Sequence, residues 1–210
     1  MASKNILLVE GIDDEHVVKN LCGYHNLGQI DEIKNLGGIS NLLESLPVQL
    51  KGSDVKALGI LVDANTDIRA RWDSLRDHLV AAGYTAPTVP LPQGTILSPP
   101  SGTLLPKVGV WLMPDNQSNG ILEDFLRLLV PTPNELLDHA QQSIDDIPDG
   151  HRLFASKDES KALMHTWLAW QEEPGKPFGT AIKAQYLKAD AARIPEVANL
   201  INWLRELFFS

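Results

Sequence analysis

Cysteine is almost missing from this chain, with Cys22 the only one among 210 residues. A single thiol excludes an internal disulfide and a thiolate zinc cage. It lies in an apolar helical pattern with Val17, Val18 and Leu21 and is read as a buried core thiol. Histidine pairs at ligand spacing are also lacking, since the six histidines form no HxxxH or HxH, and a zinc-enzyme reading loses its support. No apolar run approaches the roughly 20 residues a membrane-spanning helix requires. The start, MASKNILLVEG, has one Lys before a four-residue apolar run and no small-residue cleavage site, so it reads as a first strand rather than a signal peptide. These features lead to the expectation of a cytoplasmic protein without a membrane partner.

Basic charge is scarce as well: 18 Lys and Arg stand against 27 Asp and Glu, a net charge of −9. That balance argues against a broad basic surface wrapped around nucleic acid, because phosphate neutralisation supplies most non-specific affinity. It leaves room for carboxylates gathered around a cation, which would bring the positive charge with it.

What is present is an alternation of short apolar runs and helical patterns. Asn5 to Val9 reads as a strand, with Asp13, Asp14 and Glu15 opening a helix through about Tyr24. A second strand falls near Gln29 to Leu36, and Ser40 is expected to cap a short helix through Leu46. Val55 to Val62 is the next strand, followed by Asp63-Ala64-Asn65-Thr66-Asp67 and a helix marked by Trp72, Leu75 and Leu79. Residues 84–107, with Pro87, Pro90, Pro92, Pro99, Pro100 and Pro106, exclude a helix and leave space for a short edge strand at Thr95 to Leu97. Val108 to Met113 is the fourth core strand, and from Asn134 onward the pattern is helical. The expected fold is α/β, a parallel sheet of about four strands flanked by helices. Residues 1–130 form the α/β domain and 131–210 a C-terminal helical extension packed on the same core, with the boundary near Pro131 to Pro133. Trp111, Trp167, Trp170 and Trp203, with Phe125, Phe208 and Phe209, are read as core rather than as base-stacking platforms.

Open α/β sheets bind ligands at the carboxyl ends of their strands, and three strands here deliver acids to that edge. Glu10 follows the first, Asp63, Asn65 and Asp67 the third, and Asp115 the fourth, with Glu123 and Asp124 further on. A carboxylate directly after a buried parallel strand has few structural tasks, so Glu10 and Asp63 are the leading site candidates. Asp13 and Asp14 are read as first-turn acids favoured by the helix dipole. Arg69, Arg71 and Arg76 offer phosphate contacts or ordinary exposed helix charges.

The segment Leu7-Leu8-Val9-Glu10-Gly11-Ile12-Asp13-Asp14 resembles the Glu-Gly signature of the Toprim domain, found in topoisomerases, primases and overcoming-lysogenization-defect nucleases. Leu61-Val62-Asp63-Ala64-Asn65 takes the place of its Asp-x-Asp motif, with Asn at the second acid. Nearly the full chain is similar to a group of small Toprim-related proteins, through Gly109 to Asn116, Gly120 to Phe125, Trp167-Leu168-Ala169 and Pro174 to Gly179. The resemblance implies Mg²⁺- or Mn²⁺-dependent phosphodiester chemistry on nucleic acid. Glu10 would be general acid/base or ligand; Asp63, Asn65, Asp67 and Asp115 would be ligands, and Glu123 and Asp124 a second metal set or structural. Lys176 would be the late cation that stabilises the transition state. Two metals would clamp attacking and leaving oxygens, and one metal would need fewer acids. Two other readings stand beside it: a receiver-like phosphoacceptor module at Asp63, and a non-catalytic Toprim-fold interaction protein. The sequence leaves the oligomeric state open.

Overall fold

The computed structural model describes residues 3–148 and 150–210. Its elements run β1 (Lys4–Val9), α1 (Ile12–Tyr24), β2 (Glu32–Asn35), α2 (Ile39–Gln49), β3 (Val55–Asp63), α3 (Ile68–Ala81), β4 (Thr95–Leu97) and β5 (Lys107–Met113). Helices follow: α4 (Leu122–Leu128), α5 (Glu135–Asp145), α6 (Glu159–Ala169), α7 (Phe178–Lys183) and α8 (Pro195–Phe208), with a 3-10 turn at Ser156–Asp158. The strands form one five-stranded sheet in the order β2-β1-β3-β5-β4. The first four positions are parallel, and β4 closes the far edge antiparallel to β5. The proline-rich stretch therefore contributes a fifth strand, short because its prolines leave few residues able to donate to a ladder. The second helix starts at Ile39 with Gly38 at its cap, rather than at Ser40. Gly38 has φ 116°, a conformation that a residue with a Cβ rarely adopts.

Side-chain alternation along the strands sorts the apolar residues into two layers. On one face, Leu7, Val9, Ala57, Leu61, Trp111 and Met113 pack with α1 and α4 to α8. On the other, Ile6, Leu8, Leu58, Ile60, Val62, Val108 and Val110 pack with α2 and α3. Helices α5 to α8 share the first layer with α1 and the sheet, so residues beyond 131 build on the same core. Trp111, Trp167 and Trp203 are buried there, whereas Trp170, at the C-cap of α6, is 41% exposed and lies against His139. Cys22 is buried as expected. No helix among the described residues is long and apolar enough to cross a membrane.

Two glycines set how closely α8 approaches the sheet. Gly59 and Gly109 are register partners on β3 and β5. A Cβ on Gly59 would come within 2.7 Å of Leu7 and Phe208, and one on Gly109 would collide with Leu207. Gly59→Val and Gly109→Val are therefore each expected to cost about 1–3 kcal/mol, read as a lowered urea midpoint with an unchanged slope. Gly23, exposed in α1, gives the opposite expectation, because a Cβ added there would meet nothing within 4 Å. Gly23→Ala gains about 0.5–1 kcal/mol by helix propensity alone.

Candidate acidic site at the strand ends

From β1 the chain crosses by α1 on one face to β2, then by α2 on the other face to β3 on the opposite side of β1. The strand order thus reverses between β1 and β3, and the crevice beyond their carboxyl ends is where open α/β sheets take ligands. Glu10 directly follows β1, and Asp63 is the last residue of β3.

A hydrogen bond joins the two. The backbone N–H of Asp63 donates to Glu10 Oε1 at 2.9 Å. Asp63 has the parity of Ala57 and Leu61, so its side chain projects toward the face of α1 and α4. There its Oδ1 accepts from the backbone N–H of Leu122, the first residue of α4, at 2.9 Å. Asp14, in the first turn of α1, accepts from Gly11 N–H at 2.8 Å. Glu123, in the first turn of α4, is 4% exposed and has Lys161 Nζ 3.8 Å from its Oε1. Two helix N-termini thus point partial positive charge at the acids, which is one reason the fold tolerates them.

That compensation is incomplete. Burial pushes Asp63 up to about 8, with the charges of Asp14, Glu10 and Glu123 adding to the rise. Asp14 is pushed up to about 7, again by burial first and then by neighbouring acids that include Glu10 and Glu123. Glu10 is raised by burial, against the Asp63 N–H, the Arg71 charge and the Ile39 N–H. Glu123 is also raised by burial, against Lys161 and His165. The carboxylates therefore sense one another at the strand ends, where Glu10 and Asp63 remain partly accessible. Asp14 is the member that the sequence presents as a first-turn acid favoured by the helix dipole. Its place in the first turn of α1, with its carboxylate accepting from the Gly11 N–H beside Glu10, is the signal that keeps it near the strand end.

The remaining candidates are engaged elsewhere. Asn65 has φ 55° and makes a two-way backbone bridge with Gly120, so it shapes the loop rather than presenting an acid. Asp67 caps α3, which packs on the opposite face, by accepting from Ala70 N–H at 3.0 Å. Asp115 accepts from the N–H groups of Gln117 and Ser118 and from the Ser118 hydroxyl, closing its own turn. Asp124 accepts from Ile121 N–H at 2.8 Å and from the Ser160 hydroxyl. Lys176 Nζ is 2.6 Å from Glu173 Oε2, on the loop before α7. The cations at the acidic crevice are instead Lys161, beside Glu123, and Arg71, whose Nε donates to the Asp63 carbonyl at 2.9 Å. Lys161 carried no sequence signal, because it reaches the site from a helix nearly a hundred residues beyond Asp63. Among the described residues, no three His, Cys, Asp or Glu side chains stand in the arrangement of a preformed metal site.

The raised proton affinities have a consequence for stability. The folded state holds the protons of Asp63 and Asp14 more tightly than the unfolded chain does. The cluster's contribution is thus complete below about pH 4 and is lost as pH rises through about 7 for Asp14 and about 8 for Asp63. Thermal unfolding of the metal-free protein should show that fall, and Asp63→Asn should flatten it and raise the midpoint at pH 8. A midpoint with the same pH dependence in both proteins would contradict the coupling.

Comparison with known proteins gives one family. No curated protein and no solved structure matches the chain. Residues 4–209 match the model of DUF3226, described as a protein of unknown function, and the chain belongs to that family.

Proposed function

We propose that this protein is a Toprim-like, divalent-cation-dependent enzyme of phosphodiester chemistry, acting on nucleic acid from the crevice between β1 and β3. The observation that carries the reading is the gathering of Glu10, Asp14, Asp63 and Glu123 at the topological switch point, with Asp63 raised to about 8. An all-oxygen donor set suits a hard cation such as Mg²⁺ or Mn²⁺, and a bound cation would offset the burial and repulsion that disfavour the ionised carboxylates. The fit favours one ion over two. Glu10 and Asp63 are the partly accessible acids, Asp14 and Glu123 lie behind them, and Asn65, Asp67 and Asp115 are used by the surrounding loops.

In this reading Glu10 and Asp63 hold the cation, which when bound would polarise a phosphoryl oxygen and activate water. Asp14 and Glu123 reinforce the negative field from the two helix starts. Lys161 takes the charge-stabilising role that the sequence resemblance assigned to Lys176, because it stands beside Glu123. Arg71 fixes the Asp63 backbone through its carbonyl and brings a positive charge near Glu10.

The experiment compares cleavage of single- and double-stranded DNA and RNA with Mg²⁺ or Mn²⁺ by wild type, Glu10→Gln, Asp63→Asn and Lys161→Ala. The expected outcome is metal-dependent cleavage that falls at least about 100-fold in the Glu10 and Asp63 variants and about 10-fold or more in Lys161→Ala, with Lys176→Ala close to wild type. Equal activity in wild type and Asp63→Asn sinks the enzymatic reading. Cation binding without cleavage of any substrate supports the non-catalytic alternative, and a mass adduct on Asp63 after acetyl phosphate supports the phosphoacceptor one.

A further inference from the structure

The sheet ends on one side at β2, whose outer edge pairs with no other strand among the described residues. Leu36 N–H donates to Val9 O, so even-numbered residues of this strand turn their backbone groups toward β1. Ile33 and Asn35 consequently direct N–H and C=O outward. Ile33 packs its side chain toward the α1 face, whereas Lys34 lies on the other face, where its Nζ donates to Gln49 Oε1 at 3.0 Å and stands 3.8 Å from Glu32 Oε1. On the α1 side of the same edge, Cys22, Leu27, Ile30 and Ile33 line an open cavity of about 540 Å³.

We propose that β2 pairs antiparallel with β2 of a second copy of this chain, about a two-fold axis through Ile33, to form a continuous ten-stranded sheet. The backbone fits that register, because Ile33 facing Ile33 is a hydrogen-bonded pair and so is Asp31 facing Asn35. Glu32 then lies directly opposite Lys34 of the other copy, twice over, at the closer non-hydrogen-bonded positions. The charge order selects this register: an axis through Glu32 sets acid against acid, and one through Lys34 sets base against base. Charged residues usually guard a sheet edge against pairing. Here their sequence is self-complementary in one alignment, which makes the second copy the partner that the edge fits. On the α1 face, two Ile33 side chains meet at the axis, each beside the Leu27 and Ile30 wall of its own cavity, so pairing withdraws that apolar surface from water.

The test is sedimentation velocity of the full chain over a concentration series, joined to amide hydrogen exchange at Ile33 and Asn35. Expected are a dimer of twice 23.1 kDa and slowed exchange at both amides that is lost on dilution. Lys34→Glu should raise the dimer dissociation constant roughly tenfold or more, and adding Glu32→Lys to it should restore pairing. A wild-type chain that stays monomeric throughout, or a dimer indifferent to Lys34→Glu, overturns the proposal. Should Lys34→Glu lose its far-UV circular dichroism, the wild-type exchange decides, and rates at Ile33 and Asn35 that ignore concentration overturn it.

Discussion

The bond from Asp63 N–H to Glu10 Oε1 is the constraint around which the acidic crevice is organised. It locks the end of β1 to the end of β3, the two strands between which the chain reverses its direction of growth across the sheet. A carboxylate placed there by the first βα turn is thereby held beside a second one that the sheet's parity turns toward α1 and α4. The N-termini of those helices bring Asp14 and Glu123 with them, so that one bond between neighbouring strand ends gathers acids from four elements.

Burial and repulsion then oppose the ionised state of that cluster. The fold answers in part with backbone donors: Gly11 to Asp14, Leu122 to Asp63, and Ile39 to Glu10. It answers in part with Lys161 and Arg71, which arrive from α6 and α3. Asp63 and Asp14 nevertheless keep proton affinities near or above neutrality. A hard cation would complete the compensation, and the same electrostatic logic links stability, pH and the proposed chemistry.

Much of the frame was legible in the sequence, because strand and helix periods are local signals. The four parallel strands, the helical C-terminal part and the burial of Cys22 followed from apolar runs and their punctuation. Glu10 and Asp63 followed from standing directly after such runs. What remained hidden depended on three dimensions. Asp67 and Asp115 have the right distance from their strands to reach the crevice, but each finds a nearer partner in its own loop or helix start. Asp14 looks like any first-turn acid until the sheet order sets the end of β3 beside that of β1, where its charge is felt by Asp63. Lys161 rather than Lys176 is beside the acids because α6 packs on α4, a contact that no short-range pattern encodes.

Burial first, and then the neighbouring carboxylates, raise the proton affinities of Asp63 and Asp14, so a cation bound at Glu10 and Asp63 would have to displace protons. Calorimetric titration with Mn²⁺ at pH 7, repeated in buffers of different ionisation enthalpy, measures the protons released on binding. The account predicts saturable binding with proton release, with both reduced in Asp63→Asn. Absence of binding, or binding that releases no protons and ignores Asp63→Asn, would contradict it.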